Sequence, residues 1–134
     1  MGPINWVAVV LAANLAVAVG IVWYGPIFRG PRQLFDGHGP EGKRPARTYL
    51  WSVSAMLVIA TMIGHNFARV GAETLAAKPW LYWMMSGGLG LAIIAPALFI
   101  GLARHDVPMR DRLIDCGHWI VALLAMGTVF WALG

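Results

Sequence analysis

Among the side chains able to do chemistry that fall inside the long apolar stretches of the sequence are Asn14, His65, Asp115, Cys116 and His118. Asp115 and His118 stand three residues apart in LIDCGHWIVALLAMGTVFWALG, so on a helix they share a face. An acid and an imidazole so placed could hand on a proton, and acidic residues inside membranes often mark proton or ion paths. The structural reading is that Asp115 pairs with Arg112 or caps an adjacent loop while His118 hydrogen-bonds a neighbouring carbonyl; the shallow position of the pair favours it. His65 and His118 invite a bis-imidazole haem. Helix geometry, however, sets them ~15 Å apart along the membrane normal, which leaves only a haem shared with a neighbouring chain. Asn14 reads as helix glue, its amide needing a partner from another helix because lipid offers none. Cys116 is the single cysteine, so neither a disulfide framework nor a redox pair is available. No metal cluster and no nucleophile with its base occurs at usable spacing, so no catalytic residue, metal site or cofactor is expected. Contacts with lipid, quinone or pigment would suit the tryptophan-rich surface.

The elements that must position these groups are membrane spans. A chain of 134 residues that is 59% hydrophobic and 12% charged is too apolar for a soluble domain of that size. Crossing the ~30 Å hydrocarbon core takes about 20 mainly apolar residues. Four stretches qualify: residues 4–24, 49–70, 80–103 and 113–133. They are apolar on every face, whereas barrel strands would alternate, so the expected fold is a single all-α domain of four antiparallel transmembrane helices. The first stretch contains Ala16-Val17-Ala18, which imitates a signal-peptidase site, but no Lys or Arg precedes it, and it reads as a retained span.

Small residues within the spans mark where helices approach closely: Ala12, Ala16 and Gly20 in the first, Gly64 in the second, Gly90 and Gly101 in the third. Trp6, Trp23, Tyr24, Trp80, Trp83 and Trp119 read as interfacial anchors, since amphipathic rings favour the headgroup layer. Gly25-Pro26 should end the first helix. Residues 26–47, rich in Gly, Pro and charge, should form a loop. Pro96 cannot donate to the carbonyl of Ala92, so a kink or a local partner is expected in the third span. Along the second span Ser54, Val58, Thr61, His65 and Ala68 share one face.

Arg29, Arg32, Lys43, Arg44 and Arg47 lie between spans one and two, and Arg104, Arg110 and Arg112 between spans three and four. The other side has only Arg69 and Lys78, so the positive-inside rule puts both termini on the non-cytoplasmic side of a bacterial inner membrane. The net charge of +4 is then a topology signal, and nucleic-acid binding is not expected because there is no soluble basic face.

The opening INWVAVVLAANLAVAVGIVWYGPIF and the closing LIDCGHWIVALLAMGTVFWALG resemble the two ends of DUF1761, a bacterial family of four-span membrane proteins of unknown function. An Asn-Trp start, a Trp-Tyr-x-Pro exit from the first helix and an Asp-x-Gly-aromatic-Trp opening of the last are typical of it. Asn5, Trp6, Trp23, Tyr24, Pro26, Asp115, Gly117 and Trp119 fall on that pattern, while His118 stands where another ring, commonly Tyr, would be. The resemblance covers the first and last quarters of the chain and implies the four-span architecture without implying an activity.

Three functional classes follow. An accessory or interaction subunit of a larger respiratory or photosynthetic membrane complex needs only lipid-facing and partner-facing surfaces, and is the expectation here. Its partners would be other membrane subunits and lipids, with a homo-oligomer compatible. The alternative is a small oligomeric proton-coupled transporter, which wants a carboxylate at mid-depth where the first helix has Asn14. An enzyme would need a constellation that the sequence does not carry.

Overall fold

The computed structural model describes residues 3–28 and 46–133, and within them every regular element is helical. The first helix, α1 (Trp6–Val22), starts at Asn5, whose side-chain oxygen accepts from the Ala8 amide at 3.1 Å and so satisfies a backbone donor left open at the helix start. The chain does not stop at Gly25-Pro26 as expected. It widens into a π turn, Trp23–Ile27, in which the Phe28 amide reaches back five residues to the Trp23 carbonyl at 2.9 Å. Proline lacks an N–H, and the wider turn tolerates the missing donor without breaking the run.

α2 (Ala46–Val70) forms the second span and ends at Gly71, where a φ of 89° suits a residue without a side chain. A short helix, α3 (Ala72–Ala77), leads to the third span. That span is composite: α4 (Leu81–Leu89), a second π turn at Gly90–Ile94, and α5 (Ala95–Ala103). The irregularity expected from Pro96 is this π turn, in which the Ala95 amide bonds to the Gly90 carbonyl directly before the proline. α6 (Met109–Leu133) is the fourth span and begins four residues before the apolar run, with Arg110, Asp111 and Arg112 in its first turns.

Among the described residues four helices are therefore long and apolar enough to cross a membrane: Trp6–Ile27, Tyr49–Val70, Leu81–Ala103 and Met109–Leu133. The protein is an all-α membrane protein. The loop expected over residues 26–47 falls mostly outside the described residues, together with Arg29, Arg32, Lys43 and Arg44.

α6 is the hub. It packs on α1, α4 and α5, whereas α2 leans on α1 and barely meets α4. Half of the most apolar window of α6 is buried, against 28% for each of the other spans, which identifies it as the helix around which the rest assemble. Close approach is achieved with small residues: Ala8, Ala12, Ala13, Ala16, Ala60 and Ala122 are wholly buried, and Leu123 and Met126 fill the centre. At the end bearing Asn5, Phe67 packs at a tilt against Tyr82 at 4.8 Å and meets Phe130 edge-on at 5.4 Å. The amide of Asn5 also donates to the Leu133 carbonyl at 2.8 Å, which ties the start of the first helix to the last turn of the final one.

Candidate functional site

The polar residues that converge do so where the π turn of the first span meets the beginning of α6. Asp115 is 1% exposed, and its carboxylate accepts the phenolic hydrogen of Tyr24 at 2.7 Å. Beside it the indole N–H of Trp23 donates to the Ile114 carbonyl at 3.1 Å. Two consecutive residues of the π turn thus reach the same helix, one to its backbone and one to its acid. A buried carboxylate is costly without hydrogen-bond donors, and the phenol supplies one where lipid could not.

His118 lies one turn further along and is also buried. Its ring sits 5.0 Å from that of Tyr24, 5.9 Å from Trp119 and 6.4 Å from Trp23, so the imidazole is walled by aromatic groups. Two glycines make the room. A Cβ at Gly20 would stand 3.1 Å from Nε2 of His118, and one at Gly117 would stand 3.1 Å from the Trp23 ring. Cys116 points the other way, its thiol donating to the Ala95 carbonyl at 3.3 Å, the carbonyl that follows the second π turn. Asp115, His118 and Cys116 are thereby spread around α6, and the first two face α1 together as their spacing predicts.

The structural partner of Asp115 differs from the expected one. Arg112 directs its Nε to the Val107 carbonyl and lays its guanidinium over the Phe99 ring at 5.7 Å, while the acid goes to Tyr24. Tyr24 departs from its expected place as an interfacial anchor: it is 4% exposed, because its hydroxyl is engaged inside the bundle. Trp23 is half-buried for the same reason. Trp6 and Trp80 are exposed as rings at span ends should be, and Trp83 donates to the Thr128 hydroxyl at 3.0 Å. Trp119 is partly buried against His118.

His65 and Asn14 stay outside the cluster. His65 is exposed on the outward face of α2, along with Ser54 and Val58, while Met56, Ala60, Ile63, Gly64 and Phe67 face the core. Its neighbour Gly64 lies with Asn5 and Phe130 around a crevice of about 430 Å³, so the two histidines are not brought together. Asn14 was expected to bond to another helix. Its amide instead donates to its own Val10 carbonyl at 2.8 Å, and the side chain is exposed.

Of the small residues, Ala12 and Ala16 are wholly buried, Gly64 faces Phe130 and Val9, and Gly90 lies against Leu123 and the Ile120 backbone. Gly101 differs: a Cβ there would meet nothing within 4 Å, so it is not a packing position within this chain. Two further close approaches carry no signal in the small-residue spacing: Gly127, whose missing Cβ admits Ser86 and the Tyr82 carbonyl, and Gly87, which receives Leu124. The signal for Tyr24 as an acid partner was the acid itself, since a buried carboxylate requires a donor. Among the described residues no three His, Cys, Asp or Glu side chains group as a metal site.

A family model described as "Protein of unknown function (DUF1761)" matches residues 7–131, a stretch containing every member of the Tyr24, Asp115 and His118 cluster. No curated protein and no solved structure matches the chain.

Proposed function

The chain belongs to the DUF1761 family, and we propose that it serves as a non-catalytic accessory subunit of a larger bacterial inner-membrane complex, respiratory or photosynthetic. The observation that carries this reading is the fate of the chemistry-capable groups. Asp115 is buried and bonded to Tyr24, so the acid joins the ends of two helices instead of standing open to a substrate. Most of the remaining surface of the spans is apolar, with exposed side chains such as Val7, Leu50, Val58, Leu91 and Ile93 that suit lipid and neighbouring helices alike. In this reading both termini lie on the non-cytoplasmic side, an orientation that the distribution of arginines and lysines between the connections supports.

The test is the native mass and composition of the untagged protein extracted from its own membrane in mild detergent. Migration with a much larger species at fixed stoichiometry to other subunits is the expected result. Recovery in a species built from this chain alone would overturn the reading.

The second reading is a small oligomeric proton-coupled transporter, favoured by one observation: a buried acid with a phenol in contact and an imidazole one turn away. It predicts that the protein in sealed vesicles dissipates a pH gradient and that Asp115→Asn abolishes the flux. Gradients that persist with the wild-type protein present would remove it.

A further inference from the structure

α1 buries Ala8, Val9, Ala12, Ala13 and Ala16 against α2 and α6, and turns a second face outward. That outward face carries Val7 (66% exposed), Leu11 (48%), Asn14, Ala18 and Ile21 (55%). The steps between them are four, three, four and three residues, the spacing of a seam between two helices wound left-handedly about each other. Any lipid-facing stripe can show such spacing. What sets this one apart is an amide near the middle of a span.

Asn14 uses one N–H on its own Val10 carbonyl. Its second N–H and its side-chain oxygen meet no other group among the described residues, and they face the region where water is absent. The missing partner must stand at the same depth. Membrane insertion gives every copy of a chain the same orientation, so a second copy presents its own Asn14 at that level, and an amide is at once donor and acceptor. Two such groups satisfy each other across a two-fold axis. A different protein would need a matching polar group at the same depth independently. Ala18, one turn further on, lets the two backbones approach beside the amide pair.

We propose that the outward face of α1 is a self-association seam, in which two copies of this chain pair in parallel along Val7, Leu11, Asn14, Ala18 and Ile21, with the Asn14 amides hydrogen-bonded to each other. The pairing goes beyond the accessory-subunit reading and holds whether or not other subunits surround the pair.

The experiment is oxidative cross-linking in native membranes of Leu11→Cys and Ala18→Cys, each in a Cys116→Ala background. Val58→Cys and Ile93→Cys, on exposed faces of the second and third spans, are the controls. Disulfide-linked dimers of the chain are expected at positions 11 and 18 well above both controls, with that excess lost when Asn14→Leu is added. Cross-linking no greater than at the controls, a signal unchanged by Asn14→Leu, or an adduct with another protein at these positions would each overturn the proposal. A native species made of several different subunits leaves this readout intact, so failure of the accessory-subunit reading and failure of the seam are told apart.

Discussion

The phenol of Tyr24 donates to the carboxylate of Asp115 at 2.7 Å across 91 residues of chain, so the exit of the first span and the start of the last are joined at one buried point. At the opposite end the Asn5 amide reaches the Leu133 carbonyl. The first and last helices are thus fastened near both of their ends, with small residues packed between, while α2 packs mainly on α1 and meets α4 and α6 through Phe67 and Gly64.

The buried pair should behave as one unit. Tyr24→Phe leaves the carboxylate without its donor and is expected to lower stability by about 1–2 kcal/mol, in the range of a hydrogen bond inside a membrane protein. Once Asp115→Ala is present, Tyr24→Phe should cost much less. Equilibrium unfolding in mixed detergent of the two single variants and the double variant measures this coupling, and strictly additive losses would show that the groups act apart.

The glycines separate into two kinds. Gly127→Ala would drive a methyl group toward the Tyr82 carbonyl and Ser86, at an expected cost of about 1–3 kcal/mol. Gly101→Ala meets open space and should be neutral or stabilising by up to about 1 kcal/mol, because alanine favours helix over glycine. Melting temperatures of the two variants in the same detergent decide it. Equal losses would refute the assignment of Gly127 as the closer contact.

Asn5 has two duties, capping α1 and satisfying the end of α6. Asn5→Ala is expected to cost about 1 kcal/mol. Hydrogen exchange should quicken both at the amide of Ala8 and around the last turn of α6. A change confined to α1 would deny the link to Leu133.

The two membrane histidines differ in access. His65 is exposed and His118 is 4% exposed, so diethylpyrocarbonate should modify His65 first in membrane fragments opened to both sides. Peptide mapping by mass spectrometry reads the order. Equal rates at the two sites would contradict the placement of His118 behind Tyr24.

Much of the fold was legible because span detection rests on length and hydropathy, which residues 4–24 and 80–103 carry most strongly. The ends were less so. Gly25-Pro26 reads as a stop by local rules, yet a π turn carries the first helix through it, and only the contact of Trp23 and Tyr24 with α6 explains why that geometry is retained. The shared face of Asp115 and His118 followed from their spacing. Their neighbour on the π turn of the first span did not, since ring composition alone cannot distinguish a tyrosine at the headgroups from one bonded inside the bundle. Asn14 illustrates the same limit: a mid-span amide calls for a partner, but which way it points depends on which alanine face of α1 the other helices choose.

If the chain serves as the proposed subunit, Asp115, buried and bonded to Tyr24, holds the bundle in the form that incorporation requires. The most direct measurement is Asp115→Ala, followed by thermal unfolding of the purified protein and by native mass in its own membrane extract. A loss of about 1–3 kcal/mol is expected, since the buried hydrogen bond from the Tyr24 hydroxyl to Asp115 disappears, together with reduced incorporation into the larger species. A variant as stable as the wild type and equally well incorporated would contradict it.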